Sequence, residues 1–308
     1  MLIATFWPTG KGNIGYGANV GSNHTLKAPD QECWPSEGMF FGLGCNVKFP
    51  AHFKNAPYSV IATGVTTLPQ YMSFPFSLIN TPSGLFPGLS PAINEIFPGW
   101  VLHSSVFTVL RNEHKFTTRS KSVRTFIPSR ILRPVIVNDM LNARTALERV
   151  STVQDVYTDR NIPGLGKNFL VEKNRVKGIA AYTFFIAHYS YQEAITCLQK
   201  GVTMLELIPV LKRNALLKTL FALEEMKQPV NVSDFLQKII LSYQIVADSA
   251  ASGKVRDDKR GARIMPDYAE VHIPVEEESV VVAARERARE VRMVVEGALA
   301  VSARESKL

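Results

Sequence analysis

The sequence predicts a β-solenoid joined to an α-helical domain, and three observations predict it. Aliphatic residues near the start recur every six positions, glycines follow them, and from Asn138 onward apolar residues recur at helical spacing.

Gly10-Lys11-Gly12-Asn13-Ile14-Gly15 is a literal G-x-G-x-x-G behind the apolar run Leu2 to Trp7. A dinucleotide-binding turn must open a helix, whose first amides hold the pyrophosphate. The residues after Gly15 include Gly17 and Gly21, and each would cost such a helix about 1 kcal/mol relative to alanine. The motif fails as a nucleotide cradle, and a different period explains it. Ile14, Val20 and Leu26 are six apart, as are Phe41, Val47 and Phe53, with Gly42, Gly44 and Asn46 between; Ile61 to Thr67 is a further step. One inward aliphatic in every six residues is the hexapeptide-solenoid pattern. Glycine suits its corners, where a side chain would clash. Insertions at 27–38 and 55–59 interrupt the repeat. This reading assigns residues 1–110 to the solenoid with inserted loops, 111–137 to a β or irregular linker, and 138–308 to the α-helical domain.

Met140, Ala143, Leu147 and Val150 share one helical face, with Asn138 or Asp139 placed to cap. Further helices are expected from about Arg175 to Lys200, stopped at Gly201; from Arg213 to Lys227, stopped by Pro229; and from Asp234 to Ser252, stopped at Gly253. The apolar stretch Gly178 to Tyr189 is too short to span a bilayer and reads as a buried helix. The mixed-charge run Lys254 to Arg263 reads as a loop, either solvated surface or a phosphate contact. Gly164-Leu165-Gly166-Lys167-Asn168 reads as a turn leading into a helix. The last helix, from about Glu278 to Ala303, carries a narrow stripe of Val281, Ala284, Ala288, Val291, Val295 and Ala298, which suits packing on a partner helix.

A net charge of +8 suits anionic partners. No RNA- or DNA-binding motif accompanies it, so nucleic acid is not expected. Cys33, Cys45 and Cys197 have no C-x-x-C spacing and imply neither a disulfide framework nor a zinc site. No signal peptide and no membrane span is read, and P-loop, nucleophile-elbow and zincin motifs do not occur. The chain ends in Ser306-Lys307-Leu308, the address of the peroxisomal import receptor. The expected location is a peroxisome or glycosome, and otherwise the cytoplasm.

The stretches IGYGANVGSNHT, GMFFGLGCNVKFP and APYSVIATGVTTLPQ resemble the left-handed β-helix of hexapeptide-repeat transferases. Together with FPFSLINTP, PGWVLH, RNEHK and GLGKNF they are similar to a group of bacterial hexapeptide-repeat proteins in which a β-helix precedes a helical C-terminal region. The resemblance covers most of residues 12 to about 190. It implies a left-handed parallel β-helix, a homotrimer, and acyl transfer from acetyl-CoA or another acyl-CoA to a sugar or nucleotide sugar. The alternative is a non-catalytic assembly module of the same ancestry.

The transferase resemblance makes His24 the candidate general base, since imidazole titrates near neutrality. Asp30 or Glu32 would orient it, Asn23 would contact ligand, and backbone amides of Gly42 or Gly44 would hold an oxyanion. The equally available reading of His24 is structural. His52 is read as a structural or interface residue at a turn. Arg111-Asn112-Glu113-His114-Lys115, taken as a strand end, puts Arg111, Glu113 and Lys115 on one face and His114 on the other. That set would suit a phosphosugar, or else an exposed hairpin end. Lys121, Arg124, Arg130 and Arg133 extend its basic character toward the phosphates of coenzyme A or a nucleotide sugar.

Overall fold

Strand direction, which a six-residue step does not encode, decides the architecture. The computed structural model describes residues 7–21, 27–28, 32–221 and 232–305. In chain order these form β1 (Gly12–Ile14), β2 (Cys33–Trp34), β3 (Met39–Phe41), β4 (Asn46–Val47), β5 (Ala51–His52), β6 (Val60–Ile61), β7 (Thr66–Thr67), β8 (Gln70–Tyr71), β9 (Leu78–Asn80) and β10 (Asn94–Phe97). Then come α1 (Trp100–Ser104), α2 (Val106–Arg119), α3 (Pro134–Glu148), β11 (Val156–Thr158), β12 (Asn168–Val171) and α4 (Glu172–Gln199). The remainder is helical: α5 (Met204–Leu211), α6 (Ala215–Phe221), α7 (Val232–Ala262), α8 (Tyr268–Val271) and α9 (Ser279–Glu305). Two compact units result, one comprising Met1–His103, Arg124–Pro128 and Val135–Thr183, the other Ser104–Val123, Ser129–Pro134 and Phe184–Leu308.

The first unit holds the sheets. β1, β3, β6 and β9 pair in parallel, β10 joins β9 antiparallel, β12 joins β10 in parallel, and β11 closes the seven-stranded order antiparallel to β12. Two smaller parallel sheets accompany it, β2-β5-β8 and β4-β7. This corrects the expectation of a β-solenoid, a left-handed parallel β-helix, followed by an all-helical domain. The principal sheet is mixed, and β11 and β12 lie in the stretch assigned to helix alone, so the chain is an α/β protein. The reversal between β9 and β10 runs through a Pro- and Gly-rich stretch, residues 81–93, and the buried Glu95 carboxylate anchors it. Glu95 accepts from the Ser83 amide (2.9 Å), the Ser83 hydroxyl (2.5 Å) and the Asn174 amide (2.8 Å). A buried carboxylate needs such partners.

Of the six-spaced residues, Val20, Phe41, Val47 and Phe53 are buried, Ile14 is 38% exposed, and Leu26 lies outside the described residues. The spacing thus reports inward-facing positions without reporting which strands pair. The glycines serve close backbone approach. A Cβ on Gly15 would sit 2.6 Å from the Leu43 nitrogen, and one on Gly42 would sit 2.6 Å from both Ile61 O and Thr63 N. No helix springs from Gly15; a turn at Tyr16-Gly17 and a bridge from Asn19 to Asn46 follow it. Gly164-Leu165-Gly166-Lys167-Asn168 leads into strand β12 rather than a helix, with Asp159 Oδ1 accepting from the Gly164 and Gly166 amides.

In the second unit α9 packs along α7. Val281, Ala288, Val291 and Val295 are buried on α9, while Leu236, Ile239, Tyr243, Val246, Ala247 and Ala250 are buried on α7. Each fully buried valine side chain contributes roughly 1.5–3 kcal/mol. The run Lys254 to Arg263, expected as a loop, is the last turns of α7 as far as Ala262. Gly253 does not stop the helix because it is a packing position: its Cβ would meet Phe107 at 3.3 Å. Lys254 then pairs with Asp258 one turn on, at 2.5 Å. No helix of the described residues is long and apolar enough to cross a membrane.

Candidate functional site

Arg111 to Lys115, expected at a strand end, lie within α2, so their facing follows helical spacing. Leu110, Glu113, His114 and Thr117 stand at i, i+3, i+4 and i+7, and all four line a cavity of about 400 Å³ in the helical unit. The other walls obey the same rule. α4 supplies His188, Gln192 and Thr196, α7 supplies Tyr243 and Val246, and α9 supplies Val280, Ala283, Ala284 and Arg287. Arg130 enters from the irregular segment after α2. The volume lies within the range of small-molecule sites.

His188 is the buried polar centre of this wall. Its Nδ1 lies 3.1 Å from Ser242 Oγ, and the Ser242 hydroxyl is 2.9 Å from the Ile239 carbonyl. With the hydroxyl proton given to that carbonyl, Ser242 accepts from His188 Nδ1–H. Nε2 is then a bare acceptor, with no hydrogen-bond partner among the described residues. Burial, reinforced by the positive charge of Arg130, pushes the imidazole down to about 3. Rings fix its plane: Phe184 stacks on it at 6.2 Å and Tyr243 tilts against it at 4.7 Å.

Around it stand two guanidiniums and one carboxylate. Arg130 donates to Gln192 Oε1 at 2.8 Å, pairs with Glu193 at 2.9 Å, and lies 5.4 Å over the Tyr189 ring. Arg287 lies 5.8 Å over the Tyr243 ring and pairs with Glu290 at 3.2 Å. Glu113 Oε1 accepts from the Ile131 amide at 2.6 Å, which ties α2 to the segment carrying Arg130.

The remaining expected residues are not brought here. His24, Asn23 and Asp30 lie outside the described residues, as do Ser306, Lys307 and Leu308. Glu32 is exposed and accepts from Trp34 Nε1 at 3.1 Å. The oxyanion role expected of Gly42 and Gly44 is corrected, because both amides are spent on backbone bonds: Gly42 donates to Ile61 O (2.8 Å) and Gly44 to Tyr16 O (3.0 Å). Arg111, Lys121 and Arg124 are exposed and do not line the cavity. His188, Gln192, Tyr243 and Arg287 escaped the sequence reading. The signal was present on α4 as His188, Gln192 and Thr196 at four-residue steps, within the helix expected from about Arg175 to Lys200.

A second, smaller recess of about 180 Å³ lies in the first unit, lined by Asn55, Tyr71, Ser73, Asp139, Asn142, Ala143 and Ala146. Burial pushes the Asp139 carboxyl up to about 6, against the opposing effect of an Asn55 amide that donates to Oδ1 at 3.3 Å. His52, expected at a turn, is on β5, where register sets it between Trp34 and Tyr71.

The three cysteines are free thiols; burial pushes Cys33 to about 12 and Cys45 to about 11, well away from reactive thiolates. Among the described residues no three of His, Cys, Asp and Glu converge as metal ligands.

No family model matches the chain, and no solved structure does. A protein of Treponema pallidum (strain Nichols), described as an uncharacterized protein, is 25% identical over 173 residues. That stretch is 54% of this chain and 22% of the Treponema protein, so the match spans about a fifth of that relative's length.

Proposed function

We propose that this protein binds a small organic anion with hydroxyl groups, of sugar-phosphate size, in the cavity of its helical unit. The observation that supports the reading is the convergence of Arg130, Arg287, Gln192 and a neutral His188 on one space of about 400 Å³. Each group has a distinct use. The guanidiniums attract an anionic group and present fork-shaped donors to it. His188 offers a lone pair to a ligand hydroxyl, because a histidine with so low a pKa stays unprotonated. Tyr243 supplies an aromatic wall for the carbon skeleton. A histidine that resists protonation this strongly is a poor proton shuttle at neutral pH, which favours binding over general-base catalysis.

Acyl transfer draws no support from this site. Its expected base, His24, lies outside the described residues.

The test is calorimetric titration of the full chain with glucose 6-phosphate, glycerol 3-phosphate and inorganic phosphate. Saturable binding of glucose 6-phosphate, weakened about tenfold by Arg287→Gln and by Gln192→Leu, is the expected result. No heat with any of the three, or binding indifferent to both substitutions, would remove the proposal.

A further inference from the structure

The recess in the first unit carries an inference separate from the helical cavity. Parallel register on β2, β5 and β8 lines up Trp34, His52 and Tyr71, while their neighbours Cys33, Ala51 and Gln70 are buried. Successive side chains of a strand face opposite ways, so the three rings form one column on the face opposite those buried residues. Ring centroids lie 6.4 Å apart from Trp34 to His52 and 5.0 Å from His52 to Tyr71. β8 ends that sheet, and among the described residues no further strand covers Tyr71, which is 48% exposed and lines the recess.

α3 supplies the facing wall. Asp139, Asn142, Ala143 and Ala146 stand at i, i+3, i+4 and i+7 on one helical face. The two alanines leave open the volume a leucine would fill, and the two polar residues edge it. Asn55 and Ser73 complete the rim. The polar lining therefore mixes acceptors (Asp139), donor–acceptor amides (Asn55, Asn142) and a hydroxyl, and contains no arginine or lysine. The Asn55 amide holds Asp139 Oδ1, which leaves Oδ2 for a ligand.

We propose that this recess binds a single neutral pyranose ring. The apolar face of a pyranose carries C–H bonds that lie flat on an aromatic ring such as Tyr71. Its hydroxyls both donate and accept, and match a carboxylate flanked by amides. A recess of about 180 Å³ is small, on the scale of one sugar ring. An anionic sugar is disfavoured, because Asp139 would repel it with no cation in the lining to offset the charge.

Saturation-transfer NMR on the full chain tests this, with D-glucose, N-acetyl-D-glucosamine, glucuronate and uridine as probes. Transfer to the ring protons of a neutral sugar, and weaker transfer to glucuronate, is expected. Tyr71→Ala should weaken that binding roughly five- to tenfold and Tyr71→Phe should restore it. Asn142→Ala, at an exposed position, should weaken it severalfold with unchanged melting. Absence of transfer to both neutral sugars would overturn the proposal. So would neutral-sugar binding unchanged in Tyr71→Ala, or uridine displacing the sugars, which would mark the ring as a nucleobase platform.

Discussion

Ser242 Oγ lies 3.1 Å from His188 Nδ1 and 2.9 Å from the Ile239 carbonyl, so that with the hydroxyl proton on that carbonyl the imidazole proton is held on Nδ1. A serine on α7 thereby decides which nitrogen of a histidine on α4 keeps a lone pair in a ligand-sized space.

That arrangement makes the fold acid-sensitive. The unfolded chain binds a proton at His188 near 6.5, while the folded chain refuses it until about 3. Stability therefore falls as pH drops from 6.5 toward 3, by at most about 1.4 kcal/mol per pH unit for one proton. His188→Phe, which keeps the aromatic contacts, should lose about 1 kcal/mol at neutral pH from the missing hydrogen bond. It should also flatten the acid limb of a melting-temperature profile. An unchanged acid limb would place the sensitivity elsewhere.

Asp139 acts in the opposite sense. Its folded value, about 6, lies above the ordinary 3.8, so the folded chain binds more protons than the unfolded chain between those values. Stability from this group is greatest below 3.8 and declines as pH rises to 6, above which the full penalty of a desolvated charge remains. Asp139→Asn keeps an acceptor for the Asn55 amide and removes the penalty. It should raise the melting temperature above pH 6 and leave it unchanged below 3.8.

Arg130 supports the cavity through geometry as well as charge. Lysine there keeps the charge but cannot serve Gln192 and Glu193 with two separate nitrogens. Arg130→Lys should cost under about 1 kcal/mol of stability, since the ion pair is partly exposed. Glucose 6-phosphate binding should weaken about tenfold all the same. Equal losses in stability and affinity would point to collapse of the wall instead.

Two neighbouring glycines separate close approach from backbone conformation. Gly42→Ala places a methyl 2.6 Å from backbone atoms of Ile61 and Thr63 and should cost about 3 kcal/mol in chemical denaturation. Gly44 has φ +63 with nothing within 4 Å of a Cβ, so Gly44→Ala should cost only about 1 kcal/mol. The reverse order would contradict the stacked-backbone account.

What could be read in advance divides by the range of the interaction. Local apolar periodicity located α3, most of α4 and α9, because Met140, Ala143 and Leu147, or Val281, Val291 and Val295, are buried by their own helix's facing. Non-local relations were invisible. The six-step spacing found Phe41, Val47 and Phe53 as core residues but carried nothing on the antiparallel return of β10. Gly253 looked like a helix stop because its reason for being glycine is Phe107, far away in the chain. Glu113 and His114 were assigned to opposite faces of a strand, when helical spacing puts them on one wall. Gln192 and Arg287 were missed because they come from α4 and α9, and only packing in the second unit joins them.

The most direct measurement is nitrogen-15 NMR of the His188 imidazole in the full chain, at a pH midway between 6.5 and about 3, with and without glucose 6-phosphate. The account predicts a neutral ring with its proton on Nδ1, and a shift at Nε2 when the ligand is added. A protonated imidazole at that pH, a proton on Nε2, or an Nε2 resonance indifferent to saturating ligand would contradict it.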